Sequence, residues 1–232
     1  MTKRQKNIIK KPELVLIDFD GVISKNSVQL NIESAYKFIN QYTPIPYEAI
    51  LGYVKSTISF SMEHTISFLL SSLGIEDKFL GFKQEQAFTK LYDNNLISIE
   101  NDFYQFLDFC NQNSIRYLVY SSADKEVKRL STVIDRIGDD SIFNLKGRSK
   151  ANYNTYLETA EELGINLKKC VYIDDTPLAL RTGKLHGMTT VMMINDDFTI
   201  KDYKIFSSYI DYKINSFIEL LEIFKNNIGL CQ

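Results

Sequence analysis

Residues 14–22 read Leu14-Val15-Leu16-Ile17-Asp18-Phe19-Asp20-Gly21-Val22, four apolar residues followed by two acids and a glycine. A continuous apolar run with β-branched members is typical of a strand buried inside a parallel sheet. Side chains alternate along an extended chain, so Asp18 and Asp20 are expected on the same side. Two like charges this close repel each other unless a cation lies between them or one carboxyl is protonated. The run therefore predicts a hard-metal site with one carboxylate left free for chemistry.

Outward from this run, strand patterns alternate with helical ones. Further strand-like runs occupy residues 115–120, 142–145, 170–173 and 190–194, whereas residues 25–97 carry helical spacing and no strong strand signal. The alternation predicts an α/β fold: a doubly wound parallel sheet (a Rossmann-like core) with a smaller all-helical domain inserted after the first strand. We expect a basic N-terminal arm over residues 1–11, the core over residues 12–24 and 98–232, and the insert over residues 25–97.

Composition narrows the classes of function. The chain has 232 residues, of which 44% are hydrophobic and 24% charged, as is usual for a soluble globular protein. Its net charge of −2 gives no general attraction to nucleic acid. No apolar stretch approaches the roughly 18 residues that a membrane span needs, and the three cysteines form neither a disulfide nor a zinc pattern. These features predict a cytoplasmic protein with no nucleic-acid or membrane partner.

Three of the strand-like runs end in polar residues, and a fourth polar cluster precedes a helical pattern. The clusters are Asp18 with Asp20, Ser121 with Ser122, Asp174 with Asp175, and Lys146 to Lys150. In open α/β sheets, ligands bind at the carboxyl ends of the strands. A carboxylate can accept a phosphoryl group, a hydroxyl and a lysine can hold the other phosphoryl oxygens, and paired carboxylates bind Mg²⁺. The arrangement predicts phosphoryl transfer.

At these positions the chain resembles the haloacid dehalogenase superfamily of phosphatases and phosphomutases. The family's first motif, Asp-x-Asp-Gly-Val/Thr, matches Asp18–Val22, and its second, an apolar strand ending in Ser or Thr, matches Leu118–Ser121. The third motif, a lysine shortly before a helix, matches Lys150–Leu157, and the fourth, a strand ending in paired acids, matches Val171–Pro177. The resemblance covers nearly the whole chain from about Pro12.

The resemblance implies a role for each matching residue. Asp18 is expected to be the nucleophile, and Asp20 the general acid for the leaving oxygen and then the base that activates water. The residues expected to bind phosphoryl oxygens are Ser121, Ser122 and Lys150. The implied ligands of Mg²⁺ are Asp18, the backbone carbonyl of Asp20, Asp174 and Asp175. The helical insert is expected to form a cap over a small phosphorylated substrate.

Two departures from the family pattern bear on these roles. Many relatives place the second acid of the last motif four or five positions after the first, where this chain has Leu178 and Ala179. The adjacent pair Asp174 and Asp175 would then have to supply both acids of this motif. The third motif lacks the usual prolines around its lysine. Lys146 is therefore a rival to Lys150, because either flexible stem could reach a phosphate.

The resemblance leads to a Mg²⁺-dependent phosphatase that hydrolyses a small phosphorylated metabolite through an aspartyl-phosphate. A phosphomutase acting on a sugar phosphate would use the same residues and stays open. A dehalogenase is disfavoured, because relatives with that activity resemble Asp-x-Tyr in the first motif. A non-catalytic binding protein that keeps the fold is the alternative from another class, and the presence of both Asp18 and Asp20 speaks against it.

Overall fold

The computed structural model describes residues 11–56, 62–76, 96–121, 134, 136–195 and 201–227. The basic arm lies outside the described residues except for Lys11, and so does Ser122. Apolar residues at helical spacing also predict helices near residues 79–91 and 125–137, and these segments lie wholly or largely outside the described residues. Across the described part, no helix is both long enough and apolar enough to cross a membrane.

The described residues form a six-stranded, all-parallel sheet at the core, with the strand order β3-β2-β1-β4-β5-β6. The strands are β1 (Leu14–Ile17), β2 (Arg116–Ser121), β3 (Ile142–Asn144), β4 (Cys170–Asp174), β5 (Thr189–Met193) and β6 (Tyr212–Ile214). Ile17 is in register with Val119 of β2 on one side and with Ile173 of β4 on the other. The carboxyl ends of these three strands therefore lie level at one edge, beside the point where the strand order reverses.

Helices cover both faces of the sheet, as expected for a doubly wound fold. The helices of the described residues are α1 (Lys25–Ile39), α2 (Tyr47–Ser56), α3 (Met62–Ser72), α4 (Asn101–Gln112), α5 (Tyr153–Leu163), α6 (Pro177–Leu185) and α7 (Phe217–Asn227). Alternate side chains of β1 enter two separate cores. Val15 and Ile17 face the phenylalanines of α4 and α7, whereas Leu14 and Leu16 face Tyr156 of α5 and Leu180 of α6. The predicted α/β fold with a doubly wound parallel sheet is confirmed.

Helices α1, α2 and α3 share a third hydrophobic core of their own. Its buried members are Ile32, Ala35, Phe38, Ile39, Ile50, Val54, Ile66 and Leu70. The core consists of residues from these three helices and includes none from the strands. This part of the insert is therefore helical, as the spacing predicts.

Candidate active site

The first acid of the motif extends the pairing of β1 beyond the strand. The backbone amide of Asp18 donates to the carbonyl of Ile173 at 2.9 Å, which fixes Asp18 beside the end of β4. Its own Oδ1 accepts a hydrogen bond from the amide of Phe19 at 2.7 Å. The side chain is buried at the level where β1, β2 and β4 end.

Three buried carboxylates meet at this edge. One carboxylate oxygen each from Asp18, Asp174 and Asp175 lie within 4.8 Å of one another. The start of α6 orients the acid pair, because the amide of Thr176 donates to Asp174 Oδ1 at 2.7 Å and its hydroxyl to Asp175 Oδ1 at 3.1 Å. An all-oxygen, multiply charged donor set is the kind that Mg²⁺ prefers. These three residues therefore fit a magnesium ion.

Gly21 brings the turn after β1 into contact with the acid pair. Its φ of +74° lies in the left-handed region, where a side chain is strained. A Cβ atom at this position would also stand 2.2 Å from Asp175 Oδ2. Only glycine meets both requirements, so the glycine of the first motif makes room for the last acid of the fourth.

The structure distinguishes the two candidate lysines. The ammonium group of Lys150 is buried, forms an ion pair with Asp18 Oδ1 and lies 3.2 Å from Asp174 Oδ2. The side chain of Lys146 is 67% exposed and pairs with Glu162 on the surface at 2.7 Å. Lys150 is therefore the lysine that faces the carboxylates.

The backbone on both sides of Lys150 is held by helix hydroxyls. Thr155 of α5 donates to the carbonyl of Ser149 at 2.8 Å, and Thr182 of α6 donates to the carbonyl of Ala151 at 3.1 Å. Two helices therefore anchor the segment, which gives the buried ammonium group a fixed origin.

Asp20 follows Asp18 by two residues, is partly buried and is not one of the three acids whose oxygens lie within 4.8 Å of one another. Its Oδ1 accepts a hydrogen bond from Asn31 Nδ2 at 3.2 Å, and Asn31 belongs to helix α1. Sequence reasoning missed Asn31. Helical spacing alone does not show which polar residue of α1 reaches back to the turn after β1.

Ser121 is buried at the carboxyl end of β2, beside Asn144 of β3 in the sheet register. The strand that holds it is the direct neighbour of β1. The structure therefore places Ser121 at the same sheet edge as Asp18, whereas Ser122 lies outside the described residues.

Burial and repulsion between the acids raise the pKa values of Asp18 and Asp175. Burial raises the pKa of Asp18 well above its ordinary value; Lys150 opposes the rise, and Asp174 and Asp175 add to it. Burial and the neighbouring Asp174 raise the pKa of Asp175 to about 7. Burial by itself would lower the pKa of Lys150, but Asp174 and Asp18 outweigh it and raise that pKa. Without a metal ion, the raised pKa values of Asp18 and Asp175 favour their protonated forms, and a bound metal ion would favour the ionised forms.

Tyr172 forms a hydrogen bond with the first acid of the pair. The hydroxyl of Tyr172, two residues before Asp174 on β4, donates to Asp174 Oδ2. The side chain of Tyr172 is fully buried. Its position on the same strand face as Asp174 is the one signal that could have suggested the contact.

The sequence matches no protein-family model and none of the curated proteins compared with it. Its fold, however, is similar to that of many solved structures. A haloacid dehalogenase hydrolase (family IA, variant 3) from Entamoeba histolytica superposes with a TM-score of 0.72 at 16% identity, covering 94% of this chain and 99% of that one.

Two further similar structures are of proteins whose names or ligands involve phosphorylated compounds. A variant of CbbY from Rhodobacter sphaeroides, solved with xylulose-1,5-bisphosphate, has a TM-score of 0.72 at 15% identity and covers 90% of this chain and 96% of that one. A predicted phosphoglycolate phosphatase from Haemophilus somnus has a TM-score of 0.67 at 13% identity, with coverage of 93% and 99%. These likenesses establish the fold of this chain, which is that of the haloacid dehalogenase-like hydrolases.

Proposed function

We propose that this chain, which has the haloacid dehalogenase-like fold, is a Mg²⁺-dependent phosphatase that hydrolyses a small phosphorylated metabolite through an aspartyl-phosphate. One observation carries the proposal: the carboxylate of Asp18 is buried against the ammonium group of Lys150 and beside the acid pair Asp174 and Asp175. Structural relatives named for phosphatase activity or solved with a sugar bisphosphate support the choice of substrate class.

In this proposal, the acidic residues would bind the metal ion, and the lysine and serine residues would bind the substrate. Asp18, Asp174 and Asp175, with the backbone carbonyl of Asp20, would hold Mg²⁺. When bound, the ion neutralises the charge of the nucleophile and of the substrate phosphate. Lys150 would bind phosphoryl oxygens through its ammonium group. The hydroxyl groups that would assist it belong to Ser121 and Ser122.

Two aspartates would carry the proton and phosphoryl steps. Asp18 attacks phosphorus, and as the bond to the leaving oxygen breaks, Asp20 donates its proton to that oxygen. Asp20 then takes a proton from water, whose oxygen attacks the phosphorus of the aspartyl-phosphate. That second displacement releases inorganic phosphate and restores the Asp18 carboxylate. The hydrogen bond from Asn31 supports this role for Asp20, because it fixes the direction of the carboxyl group.

The helical insert would act as a cap that admits small substrates and excludes water. We place the core at residues 12–24 and 98–232 and the cap at residues 25–97. Both chain crossings between them meet at Asn26. The side chain of Asn26 accepts a hydrogen bond from the amide of Ser98 at 3.0 Å and donates to the carbonyl of Leu96 at 2.9 Å.

Release of inorganic phosphate from a panel of small phosphate monoesters tests the proposal. We expect turnover of at least one substrate with Mg²⁺, loss of turnover in excess chelator, and recovery when Mg²⁺ is restored. Ca²⁺ should be a poor substitute, because it takes more ligands at longer distances than the octahedral Mg²⁺. Full activity in chelator would contradict the metal site, and activity that survives Asp18→Asn would contradict the nucleophile.

A further inference from the structure

Tyr172 lies two residues before Asp174 on β4, so both side chains project from the same face of the sheet. The tyrosine side chain is fully buried, and its hydroxyl donates to Asp174 Oδ2. The proposed phosphatase steps give this hydroxyl no task. We propose that Tyr172 is a positioning residue that holds the Asp174 carboxylate in the orientation that binds the metal ion, an inference that rests on the proposed function.

The hydroxyl of Tyr172 is one of three donors that hold the carboxylate of Asp174. Asp174 Oδ2 accepts from Tyr172 and from Lys150, whose Nζ atom lies 3.2 Å away, and Oδ1 accepts from the amide of Thr176 at 2.7 Å. Each carboxylate oxygen has two lone pairs. The two donors therefore occupy Oδ2, and Oδ1 keeps one acceptor position for a cation. Without the tyrosine hydroxyl, Oδ2 would hold a free lone pair and the carboxylate could turn.

Close packing around the ring of Tyr172 restricts its movement, and the position of its hydroxyl is restricted as a result. Tyr120 and Tyr156 pack edge-on against it at centroid distances of 5.9 and 5.7 Å. On α6, a Cβ atom at Gly183 would stand 2.8 Å from Tyr172 Cδ1, so the helix approaches the ring closely. A donor held in this way restricts the motion of the metal ligand before any ion binds.

The same cluster offers a matched control. Tyr120 is also fully buried, and its hydroxyl bonds to Thr159 at 2.9 Å. Tyr120→Phe and Tyr172→Phe each remove one buried, hydrogen-bonded hydroxyl from neighbouring rings. A purely structural hydroxyl group predicts the same behaviour for both variants, whereas a positioning role predicts an effect on metal binding at Tyr172 only.

Calorimetric titration of Mg²⁺ into each metal-free protein separates these outcomes. We expect the Kd for Mg²⁺ to rise ~10-fold in Tyr172→Phe, the usual scale for losing a partner of a metal ligand, and to stay within about twofold of wild type in Tyr120→Phe. In turnover assays, the Mg²⁺ concentration for half-maximal rate should rise for Tyr172→Phe, while kcat at saturating Mg²⁺ returns near wild type. Equal affinities in all three proteins, or equal losses in both variants, would overturn the assignment.

The binding measurement also keeps the two proposals apart. Wild-type protein that binds Mg²⁺ but releases no phosphate would contradict the proposed function and leave the result for Tyr172 standing. Wild-type protein that binds no Mg²⁺ would overturn both. If Tyr172→Phe fails to fold, Tyr172→Met is tested in its place. The flexible methionine side chain can adapt to the space left by the ring, and it supplies no hydroxyl.

Discussion

The Nζ atom of Lys150 lies 3.2 Å from Asp174 Oδ2, although the two residues are 24 positions apart in the chain. The same ammonium group pairs with Asp18, so one lysine joins the proposed nucleophile to a proposed metal ligand. Both carboxylates are buried, where an opposite charge counts for far more than it does in water. The lysine therefore offsets part of the repulsion between these acids, and in the proposed reaction it would also bind the phosphoryl oxygens of the substrate.

Lys150→Ala should lower kcat by ~10²–10³-fold, because it removes a charge that stabilises the transferring phosphoryl group. Lys146→Ala is the control: its ammonium group pairs with Glu162 on the surface, and we expect kcat within about twofold of wild type. Steady-state kinetics of both variants on one substrate, with near-UV circular dichroism to verify folding, make the comparison. If kcat falls in Lys146→Ala and stays near wild type in Lys150→Ala, the lysine of the third motif is Lys146.

Asp18→Asn should abolish turnover, with kcat reduced by at least ~10³-fold, because an amide cannot form the acyl phosphate. The fold should persist, since the change keeps the shape of the side chain and removes a buried charge that repels Asp174 and Asp175. Asp108→Asn on the exposed side of α4 controls for the same chemical change. One tenth of wild-type activity in Asp18→Asn would exclude an aspartyl-phosphate at this residue.

Asn31→Ala should lower kcat by ~10-fold through loss of a hydrogen bond to the carboxyl group of Asp20. We expect little change in KM, because the bond orients the acid rather than the substrate. Gln29→Ala is the matched control on the same helix, since Gln29 is exposed and bonds to Glu33 instead. Comparable losses in the two variants would assign the effect to α1 in general and remove Asn31 from the site.

Without metal, Asp175→Asn should stabilise the protein at high pH only. The pKa of Asp175 rises from about 4 in an unfolded chain to about 7 in the folded one. The folded state therefore holds this proton more tightly, and stability is lost as pH rises from about 4 to about 7. The variant should gain up to about 4 kcal/mol over wild type at pH 8 and almost nothing at pH 4. Urea unfolding in chelator at several pH values measures the difference, and a gain independent of pH would show that ionisation of Asp175 is not its cause.

The sheet edge could be predicted because its signal is local in sequence. An apolar run marks a buried strand and the next polar residue marks its end, which places Asp18, Ser121 and Asp174 together once the strands are parallel. Two elements escaped this reasoning. Strand β6 (Tyr212–Ile214) is too short to show a pattern. Pro46 directly precedes helix α2 (Tyr47–Ser56), and because proline occurs both at helix starts and after helix ends, it does not locate this helix.

The contacts between elements could not be predicted, because they depend on packing rather than on periodicity. Spacing left both Lys146 and Lys150 open, and only the docking of α5 and α6 against the sheet turns one inward and the other outward. Asn31 reaches Asp20 from a different element for the same reason. The apolar run that predicts β4 includes Tyr172, but the periodicity of the sequence does not show that its hydroxyl donates to Asp174.

The crowding of acids at the sheet edge has a consequence for the order in which ligands arrive. A phosphate monoester would bring further negative charge to the place where Asp18, Asp174 and Asp175 meet, and among the described residues Lys150 is the cation that pairs with Asp18 and Asp174. Where these acids are ionised, Coulomb repulsion would oppose the substrate until a divalent ion neutralises them. In the proposed reaction the metal ion would bind first, so the free Mg²⁺ concentration would control the apparent affinity for substrate as well as the rate of turnover.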